Sequence, residues 1–509
     1  MKKVILGFFS ILVFLLICSG LVYLFFPITH FAWIKPGVTQ ADLPKGLSGQ
    51  VVFENINLLP LANEQVIKGQ TLVVAEQRVT NAIDSIVDTY RINGKGLYLL
   101  PGLTDMHVHL FGVENDLLLY LANGVTQIRV LGQESREVMR WRDQIRDAKR
   151  PGPVMKVFWP MIESNNRGFA FGEYFASEGG KVYVSSEQEL REIVSDAKEK
   201  GSDGIKVHGV KEKSVLMSAM KFAVDNELLV ETHVPEQLTF CKDRMRCWQE
   251  FLEINTHSVA HLEEIVKVVN WDNGLSNQEV QQVAKDIAER KIQITSTVAF
   301  INNISTQIQG LEEELNSSPQ VKYLHPQVFD GFWRPGHNDY QKLNLKTLLP
   351  YNEAHKRLIR AMQEAGVKLL AGSDASVPIS FPGSSLLEEL ETMVDYGLTP
   401  LEALQTATIN PAAYYKSAET FSPFRPGAQA NFVLLRANPL LDIKNIRQIE
   451  GVMVNGRWFS RSDLEQMLRN IENHNRDLKQ TLTIFKLLLT VLMAGLVLLS
   501  GYWLSKRVF

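Results

Sequence analysis

The sequence predicts an α/β fold whose centre is a (β/α)8 barrel of the TIM type. Between residues 100 and 420, short apolar runs alternate with stretches that carry apolar residues at helical spacing. This is the pattern of repeated βα units around a parallel sheet. Eight runs can be counted as strands: "LLPGLTDMHVHL", "GVTQIRVLG", "VMKVFWPMI", "DGIKVHGV", "LLVETHVPE", "SVAHLEEI", "KIQITSTVAF" and "VKLLAGSDAS". Functional residues of such a barrel are expected where the strands end.

Strand-rich segments flank the barrel on both sides. Residues 49–99 contain β-branched and apolar runs such as "QVVFENINLL", separated by turns that are rich in Asn, Gly and Lys. Residues 421–460 have the same character, and their "VNGR" contains the Asn-Gly pair typical of a tight hairpin. We therefore expect the two segments to complete one small β-sandwich from opposite sides of the barrel.

The segment 301–351 interrupts the βα pattern between the seventh and eighth strands. It is rich in Asn, Pro, Gln and aromatic residues. On this fold, an insertion at that position opens above the active site, so a substrate lid or specificity loop is one interpretation. A solvated surface elaboration is the other.

Each end of the chain contains an apolar segment long enough to cross a bilayer. Val4 to Phe26 carries no charged residue and matches the ~20 residues of a membrane helix, so residues 1–35 are predicted to be an N-terminal anchor. A cleaved signal peptide, the alternative, has a shorter apolar region of ~7–15 residues. Residues 482–509 predict a second anchor if Lys486 snorkels. The polar residues 461–481 predict a stalk helix before it.

The charges beside these segments predict the orientation of the chain. Lys2 and Lys3 precede the first apolar segment, and Lys506 and Arg507 follow the second. Basic flanks tend to stay in the cytoplasm. Both termini are therefore expected there, with the barrel on the extracytoplasmic side, which in bacteria is the periplasm.

The overall charge argues against a polyanionic partner. The chain has 53 basic and 56 acidic residues, for a formal net charge of -3. Nucleic-acid-binding proteins carry a basic surface, so nucleic acid is not an expected partner.

The cysteines bear on the compartment in which the barrel lies. Only three occur, and Cys241 and Cys247 lie six positions apart outside the apolar ends. In an oxidising compartment these two thiols are expected to form a disulfide, whereas in the cytosol they would stay reduced.

Two histidines mark the end of the first barrel strand. In "DMHVHL", the two-residue period of a strand points His107 and His109 to the same side. Such a pair can bind one metal ion through both imidazoles, although two strand histidines can equally be packed or hydrogen-bonded without a metal.

A lysine within an apolar strand is the next unusual feature. Lys206 lies in "DGIKVHG", where an unpaired charge would be costly to bury. A salt bridge or snorkelling to the surface would remove that cost. Alternatively, the desolvated amine loses its proton readily and can take up CO₂, giving a carboxylate that bridges two metals. His233 and His261 follow at the next two strands, and Asp374 lies at the eighth.

The order HxH, Lys, His, His, Asp on successive strand ends resembles the binuclear amidohydrolases. "LLPGLTDMHVHL" is similar to their first strand, "LTPLEALQTATINPAAYY" to the helices after their last strand, and "GAQANFVLLRANPLLDI" to their closing β segment. The resemblance covers roughly Gly49 to Ser460 and is closest to the imidazolonepropionase-like and Xaa-Pro dipeptidase branch. The chain departs from that branch at Val130 and Asn431, neither of which is a metal-ligand position in the family.

The resemblance implies the site and its chemistry. His107, His109 and Asp374 would hold one metal, His233 and His261 a second, and carbamylated Lys206 would bridge them. Two Zn²⁺ are the default expectation for such ligands, although the sequence does not exclude other divalent ions. A metal-bridging hydroxide would attack an amide or peptide-like C–N bond of a small molecule, with Asp374 taking the proton and passing it to the leaving amine.

Two further residues are expected near the substrate. Arg129 near the second strand end could receive a substrate carboxylate, or form a structural ion pair instead. His208, two positions after Lys206, could contact substrate or simply pack.

Two alternative functions remain open at this point. A mononuclear-metal deaminase or lactonase shares the histidines of the first strand but does not need Lys206. A membrane receptor or scaffold without catalysis would keep the barrel and lose the chemistry.

Overall fold

The computed structural model describes residues 37–82, 88–132, 136–164, 181–239, 242–254, 256–269, 274–343, 345–416 and 423–508. The predicted N-terminal anchor lies outside these residues. The strands are β1 (Gln50–Leu58), β2 (Ile67–Ala75), β3 (Arg78–Thr80), β4 (Thr89–Asn93), β5 (Tyr98–Pro101), β6 (Leu103–Val108), β7 (Val125–Leu131), β8 (Val154–Ser164), β9 (Lys181–Val184), β10 (Gly204–Val207), β11 (Leu229–Thr232), β12 (Ser258–Ala260), β13 (Gln293–Thr295), β14 (Leu369–Leu370), β15 (Phe432–Leu435), β16 (Ile449–Val454) and β17 (Arg457–Ser460).

The helices lie mainly between and after the barrel strands. They are α1 (Asp116–Ala122), α2 (Arg136–Arg146), α3 (Glu187–Glu199), α4 (Lys213–Asp225), α5 (Glu236–Thr239), α6 (Arg244–Ile254), α7 (Leu262–Val268), α8 (Asn277–Glu289), α9 (Val298–Ser317), α10 (Pro326–Val328), α11 (Arg334–Tyr340), α12 (Leu345–Glu364), α13 (Ser384–Asp395), α14 (Pro400–Thr406), α15 (Ile409–Tyr414) and α16 (Arg461–Val508). Short 3-10 turns occupy Gln40–Asp42, Val321–Tyr323 and Ile443–Arg447, and a π-helix spans Phe329–Trp333.

Eight parallel strands form the nearly closed barrel that the sequence predicts. Their order is β14-β13-β12-β11-β10-β8-β7-β6, and a single parallel bridge between Val108 and Ala375 joins the two ends. All six residues of β6 are buried, as are all four of β10, because these strands are covered on both faces. The eight predicted strands are confirmed, and β9 adds to the outer side of β8.

Local sequence signals position the helices between the strands. Ser276 and Glu279 form a capping box that begins α8, and Thr399 and Glu402 form another at α14, where Pro400 occupies the first turn. Each box satisfies backbone N–H groups that the helix itself leaves free. The apolar faces of these helices pack on the barrel strands in one continuous core.

The flanking segments pair with each other in one mixed eight-stranded sheet. Its main path is β17-β16-β15-β5-β1-β2-β3, with β4 on β1. The late strands join the early ones because β5 pairs with β15 on one side and with β1 on the other. The rings of Phe53 and Trp458, from opposite ends of the chain, meet edge to face at 5.2 Å.

The insertion 301–351 is largely helical. We call residues 318–340 the cap; they contain α10, the π-helix and α11. The cap packs on the loop that follows the eighth strand, where the indole Nε1 of Trp333 donates to the carbonyl of Ser376 at 2.9 Å. Gln307 in α9 donates to the carbonyl of Pro378 at 3.0 Å. These contacts place the insertion at the carboxyl-terminal side of the barrel.

The chain ends in one continuous helix, α16, with no break between the predicted stalk and anchor. Leu464, Met467 and Ile471 of its first part are buried against the protein. Within the described ranges, one helix is long and apolar enough to cross a membrane, at Arg461–Leu496, and only 6% of its most apolar window is buried. A core helix of a soluble protein would be mostly buried, so the exposed apolar surface of α16 requires another explanation.

Candidate active site

The six residues expected to carry the chemistry meet at the carboxyl ends of the barrel strands. Nε2 of His107 lies 3.3 Å from Oδ1 of Asp374, and Nε2 of His109 lies 3.2 Å from the same oxygen. The ring centroid of His261 lies 4.4 Å from that of His107 and 4.9 Å from that of His233. The first and eighth strands adjoin where the barrel nearly closes, so residues more than 260 positions apart become neighbours.

Three of these residues form a compact group that could hold a cation. The donor atoms of His107, His261 and Asp374 all lie within 4.8 Å of one another, and all three residues are buried. Imidazole nitrogens with a carboxylate oxygen are a donor set that suits zinc and related divalent ions. The geometry brings His261 close to the first histidine pair, so the candidate donors form one continuous cluster rather than two separate groups.

Three of the site histidines are buried in surroundings that favour the neutral form that metal binding requires. Burial lowers the pKa of His107, His233 and His261 well below the usual range, and the nearby Lys206 lowers it further. A neutral imidazole keeps a lone pair for a metal ion, whereas a protonated ring repels one. The electrostatics therefore agree with the donor geometry.

The backbone at two of these positions is unusual. His261 has φ +69° and Asp374 has φ +53°, both in the left-handed region. Asp and His tolerate this region better than β-branched residues, yet it remains uncommon for any residue other than glycine. Such conformations cluster at functional sites, where the surrounding structure imposes them.

Lys206 lies inside the barrel with 1% of its surface exposed. Among the described residues, its Nζ has no hydrogen-bond partner. Burial lowers its pKa to about 8, against the opposing effect of the Glu231 carboxylate, its cross-strand neighbour. The snorkelling interpretation is wrong, because the amine is enclosed.

Arg129 does not lie where a substrate could reach it. It is fully buried, and its NH1 forms an ion pair with Glu231 at 2.9 Å. Nε donates to the carbonyl of Met106 at 2.6 Å, and NH2 donates to the hydroxyl of Thr295 at 2.9 Å. The structural ion pair is therefore the correct interpretation, and the expected substrate contact is not supported.

His208 borders the cluster and is more accessible. Its ring lies 4.5 Å from that of His233, and 37% of its side chain is exposed. Its Nδ1 is 3.0 Å from Oε1 of Glu163, which also pairs with Lys181 at 2.7 Å. Burial alone would raise the pKa of Glu163, but these two partners lower it to about 2. His208 is thus fixed in orientation at the edge of the site.

Two buried carboxylates support the site, and sequence reasoning missed the first of them, Asp105. Asp105 accepts hydrogen bonds from the hydroxyl of Ser373 at 2.6 Å and from its backbone N–H at 3.0 Å, tying the first strand to the eighth. The two-residue period of a strand places Asp105 on the same face as His107, and this pattern could have identified Asp105 from the sequence. Glu264 accepts from the N–H of Val234 at 3.0 Å and lies 3.6 Å from Nδ1 of His233.

Of the two cysteines expected to form a disulfide, only Cys247 lies within the described residues. Cys247, at 0% exposure in α6, is disulfide-bonded. Cys241 lies outside the described residues, so its pairing with Cys247 stays a prediction.

Buried histidines and an aspartate at the strand ends of a parallel barrel lie where the active sites of such barrels are found, and family comparison gives the class of enzyme. The amidohydrolase family model matches residues 98–459, and the chain belongs to this family. The family typically binds divalent metals, and the buried His/His/Asp group agrees with that. Membership of this family supports a hydrolase that acts on C–N bonds.

Several solved structures share the fold. A bottromycin amidohydrolase is 21% identical with a TM-score of 0.63, covering 86% of this chain and 92% of its own. A Xaa-Pro dipeptidase with bound methionine is 16% identical with a TM-score of 0.59, covering 81% and 100%. Ochratoxinase from A. niger is 19% identical with a TM-score of 0.55, covering 81% and 96%. No curated protein matches the chain.

Proposed function

We propose that this chain is a metal-dependent amidohydrolase that cleaves an amide or peptide-like C–N bond of a small molecule. The observation that carries the proposal is the approach of two histidine Nε2 atoms to one oxygen of Asp374, at 3.3 and 3.2 Å. Imidazole nitrogens that converge on a carboxylate oxygen are a donor set that suits a divalent cation, which supports the proposal. The names of the solved neighbours, which include a dipeptidase and an amidohydrolase, favour an amide substrate.

Within this cluster we propose two metals, in the arrangement that the family resemblance implies. His107, His109 and Asp374 would hold one, and His233 and His261 the other. Lys206, with an enclosed amine and a pKa lowered to about 8, suits carbamylation, which would supply the bridging carboxylate. Bound metals, in this proposal two Zn²⁺, would acidify a shared water and polarise the scissile carbonyl.

Asp374 is the proposed proton carrier. Its carboxylate lies beside the histidines at the site, where the attacking water would be held. It would accept the proton of that water during attack and deliver it to the leaving amine, which departs more easily when protonated. Asp105 and Glu264 would orient the strand ends that carry these groups. His208 remains a proposed substrate contact at the rim.

Removal of metal tests this function directly. After dialysis against a chelator, the full chain is expected to lose at least about 100-fold of its activity on dipeptides, N-acyl amino acids, cyclic amides and lactones, because acidification of the water is lost. Added Zn²⁺ is expected to restore it, whereas a mock-dialysed sample keeps its rate throughout. Activity that survives chelation, or a preference for lactones over every amide, would contradict the proposal.

We also propose that the enzyme is held in a membrane with its barrel on the extracytoplasmic side and both termini in the cytoplasm. The exposed apolar part of α16 supports a bilayer anchor, and Lys506 and Arg507 at its end support a cytoplasmic C-terminus. The predicted N-terminal anchor would provide the second crossing.

Reporter fusions test this topology. A reporter that is active only in the cytoplasm should function when fused after Phe509, because the basic flank is retained on that side. The same reporter fused after Ser460, before α16, should be inactive. The opposite pattern would refute the orientation.

A further inference from the structure

The cap over the site is fixed to the C-terminal helix. Lys322 of the cap pairs with Glu472 of α16 at 2.9 Å. The side-chain amide of Asn475 donates to the carbonyls of Lys322 and Leu324, both at 3.3 Å, and Asn475 is buried by this contact. A buried amide that donates to two backbone carbonyls fixes the relative position of the two segments.

A second contact lies further along α16, where its apolar surface becomes exposed. Nζ of Lys486 is 3.8 Å from Oδ2 of Asp330 in the π-helix of the cap. Ile484, Phe485 and Leu487 around this lysine are 58%, 52% and 63% exposed. Burial of these apolar side chains in a membrane is favourable. Lys486, at the same level of the helix, can extend its amine to the membrane–water interface. The π-helix therefore meets α16 at the level where the helix would enter the bilayer.

The opposite side of the same π-helix reaches the active site. The ring of Phe332 lies 4.1 Å from that of Phe111, which stacks 6.1 Å from the ring of His109. Phe111, Phe329 and Phe332 remain only partly buried after packing. An aromatic path thus runs from the membrane level of the cap to the first histidine pair.

From this path we propose that the substrate is an amphiphilic N-acyl amide whose aliphatic chain lies along Phe329, Phe332 and Phe111. The inference rests on the proposed function and specifies its substrate class. Arg129 is enclosed and paired with Glu231, so its guanidinium cannot receive a free carboxylate of a substrate. The partly exposed aromatic residues of the path suit an acyl chain. Hydrolysis would add the OH of water to the acyl carbon and the proton to nitrogen, releasing a fatty acid and an amine.

Chain-length dependence tests the inference on the full-length, zinc-loaded protein in phosphatidylcholine nanodiscs. The probes are N-acetyl and N-octanoyl forms of one amine that carries no carboxylate. A buried methylene is worth about fourfold in binding, so the kcat/KM ratio of octanoyl to acetyl is expected to reach at least about 30. Phe332→Ala is expected to lower that ratio at least about fivefold through the lost ring surface. The control Leu441→Ala, at a side chain 82% exposed, should leave the ratio unchanged.

The membrane level of the cap is tested separately. A fluorophore on Phe329→Cys, in a Cys18→Ser background, should be quenched by lipids spin-labelled near the headgroup. The same fluorophore on Leu441→Cys should not be. An octanoyl-to-acetyl ratio of kcat/KM near 1, or an unquenched label at position 329, overturns this inference. If the acetyl probe is hydrolysed, the proposed function survives that outcome; if no amide in the broader screen is hydrolysed, the proposed function itself fails.

Discussion

Replacing Lys206 with alanine is expected to remove one of two bound metals and lower kcat/KM by on the order of 10³-fold. A bound metal stabilises the transition state by several kcal/mol, and about 4 kcal/mol corresponds to that factor. The side chain is enclosed and its amine has no hydrogen-bond partner among the described residues, so alanine removes the bridging group without breaking a polar contact seen here. Metal content per chain and kcat/KM on the best amide of the screen measure the effect.

Two further variants make the result specific to the bridge. Lys206→Glu supplies a carboxylate at the same position and is expected to retain more metal than Lys206→Ala. Lys211→Ala, at an exposed lysine after the same strand, should change neither metal content nor rate. Full activity with two metals in Lys206→Ala would rule out the bridging role. A single metal per wild-type chain would instead favour the mononuclear deaminase.

Asp374→Asn is expected to lower kcat by about 10²–10⁴-fold, the range for loss of a positioned acid–base group. The amide keeps the size of the carboxylate but cannot accept the proton of the attacking water. Steady-state kinetics over a range of substrate concentrations measure the change, and circular dichroism checks that the fold is retained.

The matched control is Asp395→Asn, at an exposed aspartate of α13. It should behave as wild type, since Asp395 is exposed to solvent at the end of α13. Near-normal kcat in Asp374→Asn would exclude the proposed proton transfer. If that variant also supported the biological role without hydrolysing any amide, the receptor or scaffold alternative would be favoured.

Periodicity in the sequence was sufficient to predict the barrel and the order of its chemical residues. The two-residue period placed His107 and His109 on one face, and the alternation of apolar runs with helical stretches located each of the eight strands. These signals are local. A strand buried on both faces leaves a short apolar run in the sequence, and a helix buried on one face leaves apolar residues at helical spacing. Lys206 was conspicuous for the same reason, as a charge in a buried strand.

The apolar C-terminal end was also readable from composition alone, because crossing a bilayer needs a certain length without charge. The structure adds that this end forms one helix continuous with the predicted stalk. The helical character of the insertion was missed, since its Asn, Pro and Gln content is typical of loops. Its cap is held by long-range contacts, such as Trp333 to the carbonyl of Ser376, that no local pattern reveals.

By itself, then, the sequence determined which candidate residues lie at the strand ends and in what strand order, because these depend on residue type and period. Only the tertiary structure decided how these residues are arranged and paired. It committed Arg129 to Glu231 rather than to a substrate, brought His261 within 4.4 Å of His107, and set the cap between the site and α16. The physical reason is that burial, pKa and pair distances arise from contacts between residues far apart in the chain, and those contacts exist only once the barrel has closed.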